Sequence, residues 1–207
     1  MNPPPLVVKH RCNTIASLNA TDPELGVEID LRSDGSDLIL AHDPFSQGER
    51  FEQWLQCYRH GFIILNVKEE GLETAILGVL AKRGIEQFFF LDQSFPFLLK
   101  TANQGERRCA VRLSEFESID TALALAGMVD WVWIDSFTRL PLDGEQARAL
   151  QDAGFRLCLV SPELVGRTGP EALRDLRLEL DNGSIALDAV CTKLPDLWRG
   201  AGTVTES

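Results

Sequence analysis

Apolar runs alternate with helical patterns along almost the whole chain, and this rhythm constrains the fold more than any other feature of the sequence. Runs such as 88–91, 155–160 and 185–191 read as buried strands. Segments such as 47–58, 72–82 and 96–104 carry apolar residues at helical spacing, and a short helix capped by Asn13 is predicted before them. Eight such strands, joined by short connections to seven or eight helices, predict an α/β protein of the compact (β/α)8 TIM-barrel type and not an open sheet.

The length sets the domain organisation. A chain of 207 residues makes one domain and lies near the lower limit for such a barrel, which rarely has fewer than about 200 residues. We therefore predict a single barrel domain over residues 1–200, with short loops, and a disordered tail over residues 201–207.

Residues 27–32 alternate apolar with charged side chains, which is the period of a β-strand. Glu28, Asp30 and Arg32 therefore share one face of the predicted second strand. A half-solvated strand would show the same alternation. If this face is buried, however, the two carboxylates need compensation, and a divalent cation such as Mg²⁺ or Ca²⁺ prefers oxygen ligands of this kind.

Two of the three histidines end predicted strands. His10 closes an apolar run that begins at Leu6, and His42 closes a small extra hairpin strand that follows the turn 33–36. Barrels of this type place their chemistry at the carboxyl ends of the strands, so both imidazoles are candidates for acid–base catalysis. The third, His60, lies in a polar connection, and we expect it at the surface.

Five short signals occur in a fixed order within the first 44 residues. They are His10-Arg11, Asn13-Thr14, Glu28-x-Asp30, Asp34-Gly35 and His42-Asp43. This set resembles the glycerophosphodiester phosphodiesterase family, part of the wider phosphatidylinositol-phospholipase-C-like superfamily, and the resemblance weakens beyond residue 70. It implies a metal-assisted phosphoric diester hydrolase that acts on a small phosphodiester in lipid metabolism.

The resemblance also implies roles for single residues. His10 and His42 are the predicted catalytic acid and base; Arg11, Lys68 and Arg112 are predicted to bind the substrate phosphate; Glu28, Asp30 and Asn66 are the predicted ligands of Mg²⁺ or Ca²⁺. Asn66 stands where the family has a carboxylate, so we expect weaker metal binding. Asp92, Ser94 and Asp135 end other predicted strands and are weaker candidates.

Other positions depart from the family pattern. Cys12 follows Arg11 where the family usually has glycine, and Lys193 stands where an acidic residue is common. Two other functions therefore stay open: a catalytically degenerate barrel that binds a phosphorylated or sugar ligand or a partner protein, and a lyase that releases a cyclic phosphate. The retained pair of histidines favours an enzyme.

Composition excludes several classes of partner. A net charge of −11 argues against nucleic-acid binding over a broad surface. The five cysteines form no Cys-x-x-Cys pair and predict free thiols in a reducing compartment. Neither a signal peptide nor an apolar run long enough to span a membrane is recognisable, so we expect a cytoplasmic protein. The sequence leaves the oligomeric state open.

Overall fold

The computed structural model describes residues 3–199 as strands and helices in close alternation. The strands are β1 (Leu6–Lys9), β2 (Gly26–Asp34), β3 (Asp37–Leu40), β4 (Glu49–Arg50), β5 (Ile63–Val67), β6 (Phe88–Leu91), β7 (Ala110–Leu113), β8 (Trp131–Ile134), β9 (Arg156–Val160) and β10 (Ala189–Thr192). The helices are α1 (Ile15–Asn19), α2 (Phe51–Cys57), α3 (Glu73–Ala81), α4 (Phe95–Asn103), α5 (Ile119–Leu123), α6 (Gly144–Asp152), α7 (Pro170–Gly183) and α8 (Pro195–Arg199), with a 3₁₀ turn over Pro162–Val165.

Eight of the strands are parallel and form a curled sheet. Their order is β6, β5, β2, β1, β10, β9, β8, β7, and every neighbouring pair in this order is parallel. The two outer strands approach each other at one isolated parallel bridge between Phe90 and Cys109, where the Phe90 amide donates to the Arg108 carbonyl at 2.8 Å. The molecule is thus an α/β protein with a TIM-barrel-like arrangement.

A hairpin extends this sheet beside β2, as the sequence predicts. β3 runs antiparallel to β2, with Leu31 opposite Leu40, and β4 adds to β3. The Ala41 amide donates to the Asp30 carbonyl at 3.1 Å, so the chain leaves β3 next to the carboxylate pair of β2. The hairpin therefore delivers His42 to the carboxyl end of the parallel strands.

The parallel strands separate two apolar layers, because successive side chains on a strand point to opposite faces. Val27, Ile29 and Leu31 of β2 belong to the larger layer, which also includes the buried faces of the helices. Val8 and Ile64 belong to the smaller layer inside the curl, to which β6, β7, β8, β9 and β10 also contribute. Since Glu28 lies in register with Ile64, Glu28 and Asp30 belong to the inner face.

Some element boundaries differ from those predicted. The predicted helix over 47–58 begins only at Phe51, because Glu49 and Arg50 pair with β3. The predicted last strand over 185–191 is shorter, since α7 continues to Gly183 and β10 begins at Ala189. The predicted single barrel domain over 1–200 remains a prediction, and the predicted disordered tail lies outside the described residues.

The cysteines agree with the expectation of free thiols. All five cysteines are free, and four of them are buried. Within residues 3–199, none of the helices combines the length and the apolar character needed to cross a bilayer.

Candidate active site

The inner face of the sheet changes from apolar to charged as the strands approach their carboxyl ends. Two residues beyond the inner apolar side chains of β1, β5, β7 and β8 come His10, Asn66, Arg112 and Asp135. Glu28 and Asp30 of β2 join them, and both carboxylates are fully buried. Because parallel strands end at one edge of a sheet, these polar side chains line a single end of the molecule.

Glu28 is held by two hydrogen bonds. The Arg11 amide donates to its Oε2 at 2.7 Å, and Asn66 Nδ2 donates to its Oε1 at 3.0 Å. His10 Nε2 lies 3.7 Å from the same Oε2. Burial, followed by the charge of Asp30, outweighs these donors and raises the pKa of Glu28 to about 7.

Asp30 is compensated by a different set of groups. Asn13 Nδ2 donates to its Oδ2 at 2.8 Å, and the Asp30 amide donates back to Asn13 Oδ1 at 2.9 Å. Arg11 Nε lies 3.4 Å from Oδ2, and Lys68 Nζ lies 3.5 Å from Oδ1. Two formal positive charges therefore stand beside the two buried carboxylates.

Asn13 has a different role from the one the sequence suggests. We predict it from sequence as the cap of the first helix, but Thr14 caps α1, accepting a hydrogen bond from the Ser17 amide at 3.0 Å. The reason is that both ends of the Asn13 amide group already bond to Asp30. Asn13 belongs to the ordered set of five signals, but its bond to Asp30 is a contact between distant parts of the chain.

A chain of ion pairs continues from Asp30 across the strand ends. Lys68 Nζ donates to Asp92 Oδ2 at 3.0 Å, and Arg112 Nε donates to Asp92 Oδ1 at 3.0 Å. Arg112 also pairs with Asp135, which accepts a further bond from Trp133 Nε1 at 3.2 Å. Lys68 and Arg112, the predicted phosphate ligands, are thus already engaged by carboxylates, and a phosphate would have to compete with Asp92 for both.

The two aspartates of this chain respond differently to burial. Burial alone would raise the pKa of Asp92, but the charges of Arg112 and Lys68 together hold it below its ordinary value. Burial raises the pKa of Asp135 to about 6 even though Arg112 opposes the shift. Of the weaker sequence candidates, Asp92 and Asp135 therefore enter the charged network, whereas Ser94 only precedes α4 as its N-cap residue.

The two predicted catalytic histidines lie at the same end of the sheet. His10 directly follows β1, and its amide donates to the Thr192 carbonyl of the neighbouring β10 at 2.9 Å. Its ring is mostly buried beside Glu28, and burial, with the nearby Arg11 second, lowers its pKa to about 4. His42 is more exposed, with 41% of its side-chain surface accessible.

A second set of contacts orients His42. Its Nδ1 lies 2.7 Å from Asp43 Oδ1, and this hydrogen bond, with the charge of the ring second, lowers the pKa of Asp43. Its carbonyl accepts bonds from Arg32 Nε at 3.1 Å and Nη2 at 3.0 Å. The same guanidinium donates to the Lys68 carbonyl at 3.2 Å, so Arg32 ties the ends of β3 and β5 together.

Backbone strain is concentrated at this end of the molecule. Arg11, Phe45 and Asp92 have positive φ angles of 57°, 61° and 62°. Such angles are unfavourable for residues with a side chain and cluster at functional sites, where the surrounding contacts hold them in place. At Arg11 the conformation turns the amide towards Glu28, and at Asp92 the side chain reaches both cations.

The predicted surface position of His60 is wrong. Its ring is buried, with Nδ1 2.9 Å from the Leu25 carbonyl and the ring centroid 5.7 Å from that of Tyr58. The Tyr58 ring and the hydrogen bond to Leu25 hold it inside the protein. It precedes β5 and lies at the amino ends of the strands, away from His10 and His42.

Oxygen atoms of the kind that ligate divalent cations lie together on β2 and β5. Asp30 Oδ1 and Asn66 Oδ1 are buried and accept no hydrogen bond, and the two residues lie side by side in register on β2 and β5. Both oxygens of Glu28, in contrast, already accept hydrogen bonds. Among residues 3–199 there is no cluster of three His, Cys, Asp or Glu side chains that could hold a metal, so a third ligand would have to be of another type, such as the amide oxygen of Asn66.

Comparison with solved structures identifies the fold. A glycerophosphodiester phosphodiesterase from Agrobacterium tumefaciens superposes with a TM-score of 0.64 at 14% identity, covering 94% of this chain and 97% of its own. A glycerophosphoryl diester phosphodiesterase from Parabacteroides distasonis gives a TM-score of 0.65 at 13% identity, covering 98% and 89%. The chain has the fold of these phosphodiesterases. The predicted resemblance is therefore confirmed at the level of the fold, although no family model and no curated protein matches the sequence.

Replacing Asn66 by glutamate tests the metal site without relying on activity. Without divalent ions, a third buried carboxylate should destabilise the protein by several kcal/mol. We expect Mg²⁺ or Ca²⁺ to raise the melting temperature of Asn66→Glu more than that of the wild type, because the added charge strengthens binding. Asn66→Gln, which has the same length without the charge, is the control, and equal shifts in all three proteins would contradict the assignment.

The lowered pKa of His10 predicts a pH dependence of stability. Its pKa falls from 6.5 to about 4 on folding, so the unfolded chain takes up the proton first. This contribution to stability is fully present above pH 6.5 and is lost as the pH falls towards 4. Relative to His10→Gln, the wild type should lose at most about 3 kcal/mol of unfolding free energy across this window in urea denaturation. Parallel losses in the two proteins would show that His10 is not shifted.

Proposed function

We propose that this protein is a phosphoric diester hydrolase, a divergent relative of the glycerophosphodiester phosphodiesterases, and that its curled sheet closes as a (β/α)8 barrel across the Phe90–Cys109 bridge. The observation that carries the function is the burial of Glu28 and Asp30 beside His10, at the sheet end to which the hairpin also brings His42. Burying two adjacent carboxylates is costly, and a purely structural role gives no reason for it.

The two histidines suit opposite steps. Cleavage needs a base to take the proton from the attacking hydroxyl and an acid to give one to the leaving alkoxide as its bond to phosphorus breaks. His42 suits the acid, because the Asp43 carboxylate is hydrogen-bonded to Nδ1 and fixes the ring while Nε2 is left to deliver the proton. His10, buried beside Glu28 and two cations, suits the base.

The charged network would hold the phosphoryl group. Arg11 and Lys68 are the cations nearest to the carboxylate pair, and Arg112 reaches the same region through Asp92. Charge-assisted contacts from such side chains stabilise the negative charge on phosphoryl oxygens in the transition state. Phosphate binding would release Lys68 from Asp92. Because Asp92 competes for this cation, it would weaken the binding of an anion.

Glu28, Asp30 and the side-chain oxygen of Asn66 would hold a Mg²⁺ or Ca²⁺ ion. For Asn66 this requires its amide to turn, because Nδ2 now faces Glu28. When bound, such an ion would supply further positive charge at the phosphoryl oxygens. With an amide as third ligand, Arg11 and Lys68 must supply a larger share of that charge than in a site with three carboxylates.

One observation favours a second function, a barrel that binds a phosphorylated ligand without cleaving it. Asn66 donates a hydrogen bond to Glu28, and Asp92 and Asp135 pair with Lys68 and Arg112, so these side chains already have partners without a metal. The two proposals differ in turnover alone, which makes an activity assay decisive between them.

The five free cysteines support a reducing compartment such as the cytoplasm.

We also propose a small phosphodiester as the substrate. Arg11 and Lys68 share Asp30, and Lys68 and Arg112 share Asp92, so these three cations lie near enough to one another to suit a single phosphoryl group.

Hydrolysis of bis(p-nitrophenyl) phosphate tests the proposed activity. We expect turnover that rises with Mg²⁺ or Ca²⁺ and falls with a chelator, and a loss of about 10²- to 10⁴-fold in His10→Ala and in His42→Ala. His60→Gln is the control, because it removes the histidine at the other end of the sheet. Turnover unaffected by both alanine substitutions would overturn the catalytic assignment, and absence of turnover under every metal condition would favour the binding function.

A further inference from the structure

Exposed apolar side chains are concentrated around the candidate site. Four phenylalanines, which we call the phenylalanine rim, lie in segments that follow the carboxyl ends of four strands: Phe45 after β3, Phe95 after β6, Phe116 after β7 and Phe137 after β8. Leu194 and Leu197, after β10, are also exposed. Among the described residues, Leu178 on α7 is the one large exposed hydrophobic side chain outside these segments.

Two members of the rim are almost completely exposed. Phe45 has a relative accessibility of 106% and Phe116 one of 82%. Phe45 also has a left-handed backbone conformation that costs free energy in a non-glycine residue. Single exposed hydrophobic residues need no explanation, but their collection at one end of a molecule marks an interaction surface.

The loops after β7 and β8 are built to present a pair of rings. Glu115 accepts hydrogen bonds from the amides of Phe137, Thr138 and Arg139 at 3.2, 2.6 and 3.0 Å. This carboxylate ties the second loop to the first, and the rings of Phe116 and Phe137 lie with their centroids 6.0 Å apart. The exposed pair is therefore fixed in place before it meets a partner, which lowers the entropy cost of binding.

The position of the rim restricts what can cover it. A folded partner or a second copy seated on all these loops would seal the end of the sheet that carries His10 and His42. A lipid surface would not, because it can supply the reacting molecule from within itself. Phenylalanine has no hydrogen-bonding group to satisfy, so separate rings on short loops suit insertion among lipid chains.

Charge indicates which kind of lipid surface fits. The protein carries a net charge of −11, and the rim segments themselves include Asp43 and Glu115. Anionic lipids would repel such a surface, whereas binding to uncharged or zwitterionic lipids would rest on apolar contact alone. We propose that the phenylalanine rim docks on a zwitterionic lipid surface and that, given the proposed hydrolase function, the substrate is a phosphodiester headgroup presented there.

Flotation with phosphatidylcholine vesicles tests this docking. The wild type should float with the vesicles, and neither high salt nor addition of phosphatidylglycerol should increase the bound fraction. The double variant Phe116→Ser/Phe137→Ser should lose on the order of tenfold or more of its partition coefficient, because it removes two inserted rings. Leu178→Ser is the matched control, since it removes an exposed apolar side chain that is not part of the rim and should float like the wild type.

Bis(p-nitrophenyl) phosphate separates this proposal from the hydrolase function, because it is soluble and does not need the rim. Wild-type protein that hydrolyses it but does not float would overturn docking and leave the hydrolase function intact. Wild-type protein that floats through the rim without hydrolysing it would support docking and overturn the hydrolase function. A change from dimer to monomer in the double variant, measured by sedimentation without lipid, would show that a second copy covers the rim and would overturn the lipid proposal.

Discussion

The structure depends on how two adjacent carboxylates are kept inside a folded protein. Glu28 and Asp30 lie on the inner face of one strand without access to water, which would cost several kcal/mol for each charge if nothing compensated it. The cations Arg11 and Lys68 compensate the two carboxylates, together with amide donors from the backbone and from two asparagines. The first βα connection, the end of β5 and the left-handed Arg11 are therefore parts of one electrostatic arrangement.

This arrangement extends beyond the carboxylate pair as a row of ion pairs. Lys68, Asp92, Arg112 and Asp135 alternate in charge along the ends of four successive strands. Buried ion pairs contribute little net stability by themselves, but they fix positions, and each cation here is held where an anion could reach it. A phosphate that enters the site would replace these carboxylates as the anionic partner of Lys68 and Arg112.

Much of the fold and part of the site could be predicted from the sequence. Period-two alternation placed Glu28, Asp30 and Arg32 on one face, and the turn 33–36 predicted the hairpin that carries His42. The roles of Asn13 and His60 could not be predicted, because each depends on a partner distant in the chain, Asp30 in one case and Leu25 in the other. Local patterns predict which face a side chain occupies, whereas three-dimensional contacts decide its bonding partner.

We propose above that the carboxylate pair and the two histidines act together on one bound phosphoryl group. A crystal structure with bound inorganic phosphate tests this most directly. The account predicts one phosphate within hydrogen-bonding distance of both His10 and His42, with Lys68 turned from Asp92 towards it. A phosphate bound elsewhere, or two rings too far apart to contact the same anion, would contradict it.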